Sequence, residues 1–263
     1  MDRLISIDLK ADFGFLKKPD TNEPVYLTFN MLHKPALLGI FGAILGISGY
    51  KTFLNLKEKK RGYLPEFYKQ LKDLSVGIQP LKNGKPATTS FDKTVIQYNN
   101  GVGYASKEQG GNLIIMEQTL IKPCFRIFLL LKKEGTENRL YNALRLLKAE
   151  YLPYLGKNDF SLWWTNLQEY QFQKFDFKNS FKIDTIFIKE EKTLKENKSS
   201  SFSDLFGSNE STYMMFERLP IGYNENLFQY DYQSFSYTNL KLNSDFQIPN
   251  LYQLNGDQII QVF

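Results

Sequence analysis

Residues 35–48 (PALLGIFGAILGIS) carry no charge and are closed off by Lys34 and Lys51. This stretch constrains the fold more than any other part of the chain. It is about six residues short of the ~20 that span a bilayer, so it reads as a buried helix. Pro35 suits a first helical turn. Leu37, Leu38, Phe41, Ile44 and Leu45 form its apolar face, and Gly39, Gly42 and Gly46 recur at spacings of three and four, on one stripe. Each glycine inside a helix costs about 1 kcal/mol against alanine. A helix carrying three of them implies a close neighbour along that stripe: a sheet, another subunit or a nucleic-acid backbone. Tight helix–sheet packing is the simplest of these.

The pattern on either side is mixed. Residues 4–9 are short and β-branched and predict a first strand. Gly14, Pro19 and Pro24 break the chain into a loop. A second helix is expected near Pro65, with Phe67, Tyr68, Leu71 and Leu74 on one side. Residues 76–81 predict a strand, and residues 91–98 and 113–121 read as two arms of a long hairpin. Asn99, Asn100, Gly101, Gly103, Tyr104, Gly110 and Gly111 make a slim, adaptable tip between the arms. Residues 124–132 (CFRIFLLLK) predict an apolar strand, with Cys124 an inert core thiol. Leu140, Leu144, Leu147 and Tyr151 mark a further core helix. Strand, helix, strands, helix, strand over residues 1–165 gives an α+β fold of the ferredoxin or RNA-recognition type, with an inserted hairpin at about 91–121. Residues 166–263 read as a β-rich C-terminal region, with a polar, mobile loop at about 195–211. Trp163 and Trp164 are expected in the core.

Composition narrows the function. One cysteine excludes an intramolecular disulfide and fits a reducing cytoplasm. Residues 1–9 are charged at Asp2, Arg3 and Asp8, so they do not read as a secretory leader, and no membrane association is expected. There is no P-loop, no G-x-G-x-x-G, no G-x-S-x-G elbow and no Cys/His cluster at zinc spacing. No cofactor or metal is therefore expected. Residues 1–150 carry 23 Lys+Arg against 14 Asp+Glu, net +9, while residues 151–263 carry 10 against 14, net −4. A basic front half is the footprint expected for a polyanionic partner, whether a nucleic acid or, in a protein-interaction module without RNA affinity, an acidic protein; a solvated lysine surface is the plain alternative.

Phe13-Gly14-Phe15-Leu16-Lys17-Lys18-Pro19, Asn22, Leu27-Thr28-Phe29 and the run from Leu38 through Gly42 to Gly46 resemble the N-terminal signature of the Cas five family, CRISPR-associated RNA binders of the RAMP superfamily. Lys122-Pro123-Cys124-Phe125-Arg126-Ile127, Pro153-Tyr154-Leu155-Gly156-Lys157 and Arg218-Leu219-Pro220-Ile221-Gly222 resemble later segments, in the right order. The variant looks closest to the type I-B form. The resemblance implies a modified RNA-recognition fold with a protruding thumb hairpin. It also implies a subunit of the Cascade ribonucleoprotein of antiviral defence, holding the 5′ handle of the CRISPR RNA and capping one end. The implied partners are the backbone subunit, the large subunit and target DNA near the guide's 5′ end.

Single-stranded RNA is held by cations on phosphates and aromatic faces on bases. Phe13, Phe15, Lys17 and Lys18 interleave both on one loop, and Gly14 allows close backbone approach. His33 and Lys34, ahead of the glycine-striped helix, suggest a phosphate clamp at a helix N-terminus. The basic run at 57–61 could steer RNA, but it reads more simply as facing water or a protein partner. One branch of the family, in type I-C systems, cleaves repeat RNA. A histidine–lysine–tyrosine set could be proposed here from Tyr26, His33 and Lys34, but with a single histidine the chain reads as non-catalytic.

Overall fold

The structure, a computed structural model, describes residues 2–19, 24–49, 64–100, 113–188, 213–224, 226–227, 229–256 and 258–263. Its centre is a five-stranded antiparallel sheet. The strands are β1 (Arg3–Ala11), β4 (Ser75–Lys82), β5 (Lys85–Pro86), β8 (Cys124–Leu131) and β9 (Leu162–Tyr170), in the order β5-β4-β8-β1-β9. α1 (Lys34–Leu45) and the short α2 (Glu66–Leu71) connect β1 to β4, and α3 (Gly135–Arg145) connects β8 to β9. With the two-residue β5 set aside, this is a βαββαβ unit whose first strand lies beside its third and fourth. The fold is therefore α+β and ferredoxin-like, as the sequence pattern predicts.

Strand period places alternate residues on opposite faces. Ile5, Ile7 and Leu9 of β1, with Phe125, Ile127 and Leu129 of β8, face the helices and join Leu37, Leu38, Phe41, Leu140 and Leu144 in the main core. The C-terminal strands cover part of the opposite face. Leu4 and Phe128 are buried beneath Leu254, Ile260 and Val262, from β14 (Leu251–Leu254) and the strand and tail that follow, β15 (Ile259–Gln261) onward. β10 (Phe172–Lys174) pairs with β14. β15 passes so close that a side chain at Gly77 would stand 2.7 Å from the Gln261 carbonyl oxygen. Val76 and Phe263 exchange both backbone hydrogen bonds, at 3.1 and 3.0 Å.

The C-terminal hairpin of β12 (Met214–Asn224) and β13 (Gln229–Thr238), with the short β11 (Phe187–Ile188), makes a third sheet. Leu219, Phe235 and Tyr237 from this hairpin belong to the same buried cluster as β1 and α1. β9 runs on to Tyr170, past residue 165.

The glycine stripe of α1 meets a helix rather than a sheet. A Cβ at Gly42 would stand 2.6 Å from the Cβ of Phe67 in α2, and one at Gly39 3.9 Å from the same ring. Gly46 ends α1 in the left-handed region, at φ 70°, where glycine is favoured.

Three expectations are corrected. α3 stops at Arg145, and Leu147 takes φ 52°. Only Leu140 and Leu144 of its predicted stripe are buried, while Leu147 and Tyr151 are exposed. Trp163 and Trp164 alternate on β9, so Trp164 is buried and Trp163 is 42% exposed. Cys124 is only part-buried, and that burial pushes its thiol up to about 11, leaving little thiolate at neutral pH. The loop at 195–211, the basic run at 57–61 and Asn22 lie outside the described residues. Among those described, no helix is long and apolar enough to cross a membrane.

Candidate nucleic-acid interface

The inserted hairpin forms as expected: β6 (Lys93–Asn100) pairs antiparallel with β7 (Leu113–Ile121), from Lys93 opposite Leu120 to Asn100 opposite Leu113. Asn99 and Asn100 end β6, and Gly101, Gly103, Tyr104, Gly110 and Gly111 lie outside the described residues. The root is fixed by two short strands that also pair with β7. These are β2 (Phe13–Gly14), antiparallel at Ile121 and Leu120, and β3 (Val25–Tyr26), parallel at Met116 and Glu117. Strand alternation puts Tyr98, Glu117 and Tyr26 on one face of this small sheet.

Two lysines meet that face. Lys17 is exposed, with Nζ 3.7 Å from the centre of the Tyr26 ring. Lys157 Nζ lies 3.9 Å from the Tyr98 ring centre and donates to Glu117 Oε2 at 2.7 Å. Each pair places a cation over an aromatic face. The cluster is thus built of two ammonium groups, two tyrosine rings and one carboxylate.

Glycine holds Lys157 in position. Gly156 sits at φ 87°, and a Cβ there would be 1.8 Å from the Phe15 carbonyl oxygen. The turn lies flat on the 13–17 loop, where Phe15 N–H donates to the Leu155 oxygen at 3.1 Å. Gly14 serves the same contact from the other side, since a Cβ there would stand 2.6 Å from Leu155 Cδ2. The close approach expected at Gly14 is therefore made by Leu155, not by an outside backbone.

The 13–18 loop divides its side chains. Phe15 is buried and is corrected from an RNA contact to a core residue. Phe13 is part-exposed beside Phe160, with ring centres 5.8 Å apart. Lys18 points the other way from Lys17, to Glu217 at 3.5 Å. Glu217 is buried, and its carboxylate accepts from the backbone N–H groups of Asn30 and Met31 at 3.0–3.1 Å and from the Asn30 side chain at 3.0 Å. Lys93, at the thumb root, donates to the Asn30 side-chain oxygen. One β12 carboxylate thus ties the C-terminal hairpin to the loop before α1 and, through Asn30, to the thumb.

The phosphate clamp expected at His33 and Lys34 is also corrected. His33 is 6% exposed and caps α1, its Nδ1 accepting from the Ala36 N–H at 3.3 Å. Phe29 and Tyr230 flank its ring, with centres 5.3 and 5.6 Å away. Burial lowers its pKa to about 3, far from the range of an effective general base at neutral pH. Lys34 is buried and donates to the Phe263 oxygen at 3.1 Å, and burial lowers its pKa too. Tyr26 lies under Lys17. Each member of the Tyr26–His33–Lys34 set thus has a different partner. Among the described residues no group of three or more His, Cys, Asp or Glu could hold a metal.

Tyr98, Glu117 and Lys157 escape sequence reasoning as site residues. Lys157 lies 40 positions from Glu117 and 59 from Tyr98, and only the alternation of the hairpin hinted at Tyr98.

No family model matches the sequence, and no curated protein matches it. Among solved structures the fold is similar to a chain of a CRISPR RNA-guided surveillance complex, at TM-score 0.48 and 10% identity, covering 90% of each chain. It is also similar to a CRISPR protein from Archaeoglobus fulgidus, at TM-score 0.45 and 14% identity, covering 100% of this chain and 98% of that one. A third is a chain of the Type III-B Cmr-beta complex bound to cognate target RNA and AMPPnP, at TM-score 0.47 and 7% identity, covering 90% and 86%.

Proposed function

We propose that this chain is a non-catalytic, RNA-holding subunit of a type I CRISPR interference complex, and that its thumb root grips the single-stranded 5′ handle of a CRISPR RNA. The carrying observation is the pair of cation–ring contacts on one face of the thumb, Lys17 with Tyr26 at 3.7 Å and Lys157 with Tyr98 at 3.9 Å. Ammonium groups take phosphates and tyrosine faces take splayed bases. Glu117 offsets one of the two charges, so the root holds a strand without condensing on any polyanion. The N-terminal signature supports the Cas five reading, and with it contacts to a backbone subunit, a large subunit and target DNA. The non-catalytic reading is supported by His33, the chain's one histidine, which is committed to a buried helix cap.

The test uses the purified chain, labelled repeat-derived RNA and EDTA. The expected result is salt-sensitive binding without cleavage. Lys17→Ala and Lys157→Ala together weaken it and reduce the slope of log affinity against log salt by about 0.7 per lost phosphate contact. Metal-independent cleavage that disappears in His33→Ala makes the chain a processing nuclease and overturns the reading.

A further inference from the structure

The face of the central sheet turned away from the helices is closed along β4, where Gln79 and Leu81 are 1% exposed, and opens toward β9, where Trp163 is 42% exposed. The C-terminal cover reaches Leu4 and Phe128. Beyond it, the β4–β8–β1–β9 register lays two rows across the sheet: Gln79, Arg126, Asp8 and Thr165, then Leu81, Cys124, Lys10 and Trp163.

The outer row is part-open. Trp163 is 42% exposed at the edge, and the β1–β9 register puts Lys10 directly beside it on the same face. The inner row is polar, with Gln79 and Asp8 buried and Arg126 and Thr165 part-buried. Asp8 takes Arg126 through Nε at 2.7 Å and Nη2 at 3.1 Å, and also accepts from Asn166 Nδ2 at 2.8 Å. That pairing leaves the two protons of Nη1 for a further acceptor. At the two ends of this row, Gln79 Oε1 and Thr165 Oγ1 are buried and have no hydrogen-bond partner. Gln79 is 1% exposed and sits in register beside Arg126. A buried polar atom without a partner is costly, and here one lies at each end of the row that holds the Arg126–Asp8 pair.

An exposed indole, an adjacent ammonium and a guanidinium with spare donors fit one kind of occupant: a base with its phosphate. We propose that this half-face is a second single-stranded RNA contact, separate from the thumb root. Trp163 stacks one base, and Lys10 and Arg126 hold the phosphate beside it. Asp8 keeps the guanidinium flat against the sheet and prevents the patch from acting as a general anion sink. The site lies at the same end of β1 as the loop carrying Phe13 and Lys17.

The chain holds two tryptophans, and their environments differ enough to make the test direct. Trp164 is buried and donates to the Leu144 oxygen at 3.0 Å, so it serves as the unquenched reference. The protein is titrated with an unstructured oligouridylate at low salt, following tryptophan emission alongside the anisotropy of a labelled copy. Saturable quenching is expected that survives Lys17→Ala/Lys157→Ala, weakens with salt and is lost in Lys10→Ala. Trp163→Ala weakens binding about tenfold, whereas Trp163→Phe, which keeps a stacking face, stays within about threefold; circular dichroism confirms that both variants fold. RNA binding without Trp163 quenching overturns this inference and leaves the thumb-root reading standing. Quenching that is indifferent to salt and to Lys10→Ala marks an apolar protein contact and likewise overturns it. Quenching abolished by the thumb-root pair alone assigns the signal to that site, against this inference.

Discussion

Single residues carry much of the architecture, and two of them make sharp predictions. Glu217 is a buried acceptor for two backbone N–H groups, an amide and Lys18. Removing it orphans those donors, so Glu217→Ala is expected to cost about 3 kcal/mol in urea unfolding. His33 gives a pH signature. Its folded pKa of about 3 lies below the ordinary value of 6.5. The unfolded chain therefore takes up a proton that the folded one refuses, and stability present above pH 6.5 is lost as pH falls toward 3. Between pH 7 and pH 5 this amounts to about 2 kcal/mol. His33→Asn, which keeps a capping acceptor, is expected to lose about that much less than wild type over the same interval. At this scale the sequence was legible where local chemistry decides, as for the exposed Lys17. It was illegible where a distant partner decides. Phe15 faces inward because β2 is pinned to β7. Trp163 and Trp164 separate because β9 has only one face on the core. Lys157 reaches the thumb because Gly156 lies on Phe15.

Elements were read more reliably than their ends. The hairpin arms, the first and third core strands and α1 all follow from apolar period and β-branching. The end of α3 does not, because its stripe continues in sequence through Leu147 while the backbone turns left-handed there. The glycine stripe of α1 announced a close neighbour without saying which. Phe67 fills it, and this contact gives an element-scale prediction. On propensity alone Gly42→Ala stabilises a helix by about 1 kcal/mol. Here the new methyl stands 2.6 Å from the Phe67 Cβ, so a net loss of about 2 kcal/mol or more is expected. A double-mutant cycle with Phe67→Ala should return a coupling of about 1 kcal/mol or more; independent effects on thermal unfolding contradict the assigned packing.

Over the whole molecule, the N-terminal sheet and the C-terminal hairpin share one core. Leu219, Phe235 and Tyr237 pack in the same cluster as Ile5 and Phe41. One cooperative transition is expected, with tryptophan fluorescence, which reports β9, coinciding with far-UV circular dichroism. A fragment of residues 1–170 is expected to lack that transition, and an independent one within it argues against a shared core. The ferredoxin-like order of elements was visible in the sequence. That one end of the chain covers the sheet built by the other was not, because the pairing of Val76 with Phe263 spans more than two thirds of the chain and leaves no local trace.

That long-range closure also sets the order of events at the ribosome. β1, β4 and β8 are complete about 120 residues before β14 is made. At about 5–20 residues per second, Leu4 and Phe128 stay uncovered for roughly 6–24 s. Through that interval a nascent sheet offers bare apolar surface to chaperones and to neighbouring chains, and yield on expression then depends on how quickly translation delivers the last two strands.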